Sequence, residues 1–223
     1  SESTNEFIGQ ILNARYLILD YLDHGTFCRV YMAYDIQCDK FYAIKIMNID
    51  AKIEGQAEIT YLKRFISSHR IIKIFDDFIY QDHLCMVLEL MGIAVIDLIN
   101  SVDPTDPKFT KLVKTVIRDT STGISELNRK LLIHTDLKLE NIMTDILTVR
   151  QKKIIKTVKD LNIQECRRIF YNKKIENNSF NWLGTDTKNK LRDELEDIAQ
   201  VDQEPSLEGR QLLMVLSPLK KKS

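Results

Sequence analysis

The sequence has no excess of charge of either sign: 32 Lys and Arg stand against 32 Asp and Glu, and the pI is near 6.9. No global field therefore draws the chain to nucleic acid or to a membrane surface, and neither is expected as a direct partner. No apolar run is long enough to span a bilayer, and the start, SESTNEF, lacks the basic-then-apolar order of a secretory signal. An intracellular protein, nuclear or cytoplasmic, is expected, and a monomer. Cys28, Cys38, Cys85 and Cys166 are scattered, with no C-x-x-C pair and no His at metal spacing. They read as free thiols rather than a zinc site or a disulfide framework. What is present, 44% hydrophobic and 29% charged residues in 223, suits a globular chain with one sizeable core or two small lobes.

The most informative stretch is Ile133-His134-Thr135-Asp136-Leu137-Lys138-Leu139-Glu140-Asn141-Ile142. An Asp, a Lys two places on and an Asn five places on, flanked by apolar residues, set three polar groups of different charge around one spot. Phosphoryl transfer needs such a set: a carboxylate for the substrate hydroxyl proton, an ammonium for the moving phosphate and an amide oxygen for Mg²⁺. Asp136, Lys138 and Asn141 are the candidates. The plainer reading is a polar turn between two elements.

Upstream, short apolar runs at Tyr16–Leu22, Cys28–Tyr34 and Phe41–Met47, separated by His24-Gly25 and by Gln37–Lys40, predict three antiparallel strands. The first turn could cover a phosphate, with Gly25 allowing backbone approach, Phe27 at the tip and Val30 returning to an adenine face. Lys45 lies in Y-A-I-K-I, the pattern of a strand whose Lys reaches the α and β phosphates. An inward Lys needs a carboxylate partner. Ile53–Phe65 has helical spacing and carries Glu58, the candidate. Ile71–Phe78 and Leu84–Leu90 predict two more strands, ending at Met91-Gly92, where the chain could bend between lobes with the backbone of Glu89 and Met91 facing an adenine and Leu88 behind it. Asp97–Asn100 and Thr110–Lys130 predict helices, parted by the Asp103–Pro107 breaker.

Taken together these pieces resemble the eukaryotic protein kinases over roughly Tyr16 to Met143, and most of all the LAMMER kinases and the neighbouring SR-protein kinases. HTDLK, with Thr135 in place of the usual Arg, and LELMG followed by IAVIDLI carry that closer likeness. The resemblance implies an α+β, two-lobed kinase-like fold: a β-rich N-lobe over residues 1–91, of five strands and one helix, and a hinge with a shortened, divergent helical C-lobe over residues 92–223. It implies ATP and Mg²⁺, and transfer of the γ-phosphate to Ser or Thr, and in some members Tyr, of protein substrates such as Arg-Ser-rich splicing factors. It places Leu22, Gly25, Val30, Ala43, Lys45, Glu58, Leu88, Glu89 and Met91 around the nucleotide, Asp136, Lys138 and Asn141 in catalysis, and Asn141 on the metal. A neutral Thr135 cannot fork a phosphate as Arg does, so activity independent of activation-segment phosphorylation is expected.

The chain also departs from the pattern. Asp23 and Cys28 stand where the family's phosphate loop has its first and third Gly, and Leu139 replaces a Pro. No D-F-G appears; Asp160-Leu161-Asn162, after an apolar run, is the best stand-in for the second metal carboxylate. No A-P-E follows. Asn177–Trp182 reads as a turn, Lys188–Ile198 as a helix, and Gly209–Lys220 is similar to a helix near the end of kinase domains. Two function classes follow: an active kinase, or a catalytically impaired pseudokinase or degenerate fragment acting as a binding module. An unrelated α+β domain would need several coincidences in order.

Overall fold

The computed structural model describes residues 6–162 and the backbone of 212–214. Its larger sheet has six antiparallel strands: β1 (Ile11–Leu12), β2 (Tyr16–Gly25), β3 (Cys28–Asp35), β4 (Lys40–Met47), β5 (Ile74–Tyr80) and β6 (His83–Glu89), in the order β1-β2-β3-β4-β6-β5. The five expected strands are all there. The sixth, β1, is a two-residue edge strand that pairs Ile11 with Leu17. β5 starts three residues later than expected because Ser68 Oγ accepts from the backbone N–H of Arg70 and Ile71, holding that approach in a turn. Gln81 and Asp82, both with positive φ, make the two-residue turn into β6.

Helix α1 (Lys52–Leu62) buries Gly55, Glu58, Ile59 and Leu62, spaced i, i+3, i+4, i+7, against one face of the sheet. Gly55 permits that approach: a Cβ there would lie 2.8 Å from Leu84 and 2.9 Å from Met47. The core on this face joins Ala43, Met47, Ile59, Leu62, Leu84, Met86 and Leu88 with Leu127 and Leu132 of the second lobe. The other face carries Tyr16, Ile18, Tyr31, Ile44, Ile46 and Val87, covered by Phe7, whose ring meets Tyr31 and His83 edge-on at 5.8 and 5.6 Å.

The second lobe opens with α2 (Val95–Asn100) and α3 (Pro107–Arg129). Asp106 caps α3 by accepting from Lys108 N–H, and Pro107 occupies the first helical position, where its missing N–H is harmless. After β7 (Ile142–Thr144) comes α4 (Val149–Asp160), opened by a capping box in which Thr148 and Gln151 satisfy each other's backbone N–H. Strand β8 (Leu212–Met214) pairs antiparallel with β7. At 212–214 the expected terminal helix over Gly209–Lys220 is thus replaced by a strand, since β7 offers an edge that three consecutive apolar residues can take. The elements read at Asn177–Trp182 and Lys188–Ile198 lie outside the described residues. No helix among the described residues is long and apolar enough to cross a membrane.

One polar contact ties the start of the sheet together. Arg15 forks the buried Asp35 carboxylate, with Nη2 2.7 Å from Oδ2. Burial pushes the Asp35 carboxyl up, but the Arg15 guanidinium, Cys38 and the Gln37 N–H outweigh it and hold the group below its ordinary value. The folded form therefore releases its proton more readily than the unfolded chain. Its stabilising contribution is complete above about pH 4 and fades as the pH falls through the lowered folded value. Asp35→Asn is expected to cost about 1.5–3 kcal/mol at pH 7, the scale of a lost charge-assisted hydrogen bond, and urea titrations from pH 7 to 3 should show a smaller acid loss in the variant than in the wild type. Parallel acid limbs would refute this.

Candidate active site

Lys45 projects from β4, where it stands opposite Val30 of β3 and Met86 of β6. Its ammonium donates to both Glu58 carboxylate oxygens, at 2.7 and 2.6 Å. The pair is 8% and 2% exposed. Two opposite charges so deep in an apolar lobe must satisfy each other, and the burial of Gly55 and Ile59 on either side of Glu58 aims it inward.

Asp136, Lys138 and Asn141 lie together in the loop between α3 and β7. Asn141 Nδ2 donates to Asp136 O and to Asp136 Oδ2, both at 2.8 Å. Lys138 Nζ is 3.5 Å from Asp136 Oδ2, and both side chains are half exposed. The 3-10 turn Leu139–Asn141 closes this loop, with Asn141 N–H donating to Lys138 O at 2.9 Å. Because the Asn141 amide nitrogen is committed to Asp136, its carbonyl oxygen is left as the atom for a cation, which suits an Mg²⁺ ligand. Two residues on, Met143 packs against the core that holds Ala43, Leu88 and Met91, and Leu22, Cys28 and Val30 pack on the same core. Leu22, Cys28, Val30, Ala43, Leu88, Met91 and Met143 thus form an apolar seam of the kind that grips a purine.

Gly25 sits at the β2–β3 turn, opposite Cys28. Burial pushes the Cys28 thiol up, while the nearby Lys45 charge opposes that rise. Asp23 is exposed and accepts from His24 N–H at 2.7 Å. Glu89 lines a cavity of ≈ 320 Å³ together with Phe41, Tyr42, Phe75 and Leu90.

The Asn141 side chain is bonded to Asp136, and no contact with Asp160 is among its hydrogen bonds. The apolar run before Asp160 is helix α4, and Asp160 sits exposed in its last turn, beside residues that pack toward Leu17, Leu19 and Ile36. The helical capping of Thr148 and the spacing Gln151, Ile154, Val158 prevail over the β-branched composition. Among the described residues no group of three or more His, Cys, Asp and Glu could hold a metal. The sequence reading also missed Met143 on the seam and Gln151, whose Nε2 donates to Met91 O at 2.8 Å. The T-x-x-Q pattern at Thr148 was the available signal for the latter.

A curled antiparallel sheet with an inward Lys-Glu pair, set over a loop that presents Asp, Lys and Asn, defines a protein kinase domain. The chain belongs to that family: the protein kinase domain model matches residues 16–174. It is similar to serine/threonine-protein kinase ppk15 of Schizosaccharomyces pombe, 30% identical over 68% of this chain and 30% of that protein. It is also similar to SRSF protein kinase 3 of Homo sapiens, 32% identical over 61% of this chain and 26% of the other. Dual specificity protein kinase YAK1 of Saccharomyces cerevisiae is 29% identical over 62% of this chain and 18% of its own length. The chain thus spans less than a third of the length of these relatives. A solved crystal structure of a kinase domain superposes with a TM-score of 0.55 at 27% identity, covering 65% of this chain and 46% of that one.

Proposed function

We propose that the chain is an ATP-dependent protein kinase acting on Ser and Thr hydroxyls. The observation that carries this reading is the buried Lys45–Glu58 pair, supported by the loop in which Asp136, Lys138 and Asn141 meet. Glu58 holds the Lys45 ammonium toward the α and β phosphates. Asp136 orients the substrate hydroxyl and takes its proton as the oxygen bonds to the γ-phosphorus and the bond to the β-phosphate oxygen breaks, releasing ADP. Lys138 offsets charge on the transferred group, and positioning plus charge stabilisation supply the acceleration. Mg²⁺, which Asn141 Oδ1 would help hold, neutralises the phosphates when bound. Arg-Ser-rich proteins are the proposed substrates, a choice supported by the LAMMER-like HTDLK and LELMG stretches and by the likeness to an SRSF protein kinase.

The second reading, a nucleotide-binding module without turnover, is favoured by one observation: Asp160 lies exposed in the last turn of α4. Melting curves in ATP and Mg²⁺, followed by phosphate transfer to an Arg-Ser peptide, separate the two. At a hundredfold excess over Kd, ATP is expected to add about 2.7 kcal/mol and raise Tm by roughly 5 °C or more. Absence of any shift would sink both readings; a shift without transfer would leave the module.

A further inference from the structure

Helix α4 packs on the face of the sheet that looks into the cleft. On β3, Val30, Met32 and Tyr34 share one face, and the register sets Val30 opposite Lys45 and Met32 opposite Ala43. Ile154 and Val158 of α4, 0% and 1% exposed, pack against Leu17, Leu19, Met32 and Tyr34 on that face. Leu22 and Leu90 touch both this cluster and the one holding Ala43, Leu88, Met91 and Met143. The helix therefore abuts the hinge end of the purine seam.

Two polar anchors fix it there. The buried Gln151 side chain donates to the Met91 carbonyl at the hinge. Arg150 forks the Asp20 carboxylate of β2, with Nε 2.6 Å from Oδ2; Asp20 is buried, whereas the Arg150 side chain is 38% exposed. One anchor thus occupies a backbone acceptor of the hinge, and the other pairs a buried carboxylate with a guanidinium that reaches solvent.

We propose that α4 is an autoinhibitory gate: docked, it closes the hinge end of the nucleotide cleft, and nucleotide binds the form in which it has released Met91 and Asp20. This rests on the kinase reading above. Apparent affinity is then the intrinsic affinity multiplied by the undocked fraction, so loosening the anchors strengthens binding. A helix that merely completes the core would give the opposite result, since losing its contacts would loosen the lobe and weaken binding.

The test is calorimetric titration of the full chain with ADP and Mg²⁺. The variant Arg150→Ala/Gln151→Ala is expected to bind about tenfold more tightly than wild type, and the exchange Asp20→Arg/Arg150→Asp, which remakes the pair in reverse, to return toward wild-type affinity. In the wild type, saturating ADP should speed hydrogen exchange at the α4 amides, a readout that survives any folding defect of the variants. Equal or weaker binding by the double variant, or slower exchange in α4 with ADP, overturns the gate while leaving the kinase reading intact. No binding by any of the chains overturns the kinase reading, and the gate falls with it.

Discussion

Asp136→Asn is expected to lower phosphate transfer to an Arg-Ser peptide by roughly a thousandfold, the scale of a lost general base, with ADP affinity and melting temperature unchanged. The Asp136 side chain is half exposed, and its backbone carbonyl, which the replacement keeps, accepts one of the two Asn141 hydrogen bonds. The change therefore removes a proton acceptor while leaving an amide oxygen that can still accept from Asn141, and it gives up only the half-exposed pairing with Lys138. Kinetics separate this from a binding defect, because a group that acts only as the reaction proceeds affects turnover and not ground-state affinity. Initial rates with radiolabelled ATP, alongside calorimetry, are the measurement. Transfer within about threefold of wild type would show that Asp136 is not the base.

Glu58→Ala is expected to be the most destabilising single change in the smaller lobe. It strands the Lys45 ammonium, which is 8% exposed, beneath the sheet. Breaking a buried ion pair by removing one partner costs about 3–5 kcal/mol, which corresponds to roughly a 10 °C fall in Tm for a chain of this size. Lys45→Met/Glu58→Leu replaces both charges with apolar side chains and should recover most of that loss while still failing to bind ATP. This second variant divides the pair's two duties: stability depends on charge balance, nucleotide binding on the ammonium itself. A Glu58→Ala chain melting within about 2 °C of wild type would show that Lys45 finds water when released.

The smaller lobe was legible in the sequence wherever local pattern and burial agree. β2 to β4 announce themselves as β-rich runs parted by turn residues, and Lys45 is conspicuous as a lone charge in an apolar strand whose partner sits one helix away. The Asp136 loop was legible because its three polar groups are close in sequence and so are close in space. Phe7 was not, since a single aromatic in a polar segment has no period, and only the folded sheet gives it a face to cover. β8 pairs with a strand about seventy residues away, a separation no local pattern encodes. α4 was not legible as a helix: Val149, Ile154, Ile155 and Val158 favour a strand by composition, while their spacing and the Thr148 box favour a helix, and tertiary burial decides between them.

Gly92 lets the chain leaving the hinge run close against the segment that follows β7. Its N–H donates to Thr144 O at 2.8 Å, Ile93 N–H donates to Ile146 O at 2.9 Å, and Thr144 N–H returns a bond to Ile93 O at 3.0 Å. A side chain on Gly92 would place its Cβ 1.8 Å from the Ile146 oxygen, so no other residue fits without moving the strand. The chain is therefore laced into the second lobe from its first residue there. Rocking of one lobe over the other must pivot on the few residues before this lacing, Leu90 and Met91, and a bulkier residue at position 92 would unlace the base of that pivot.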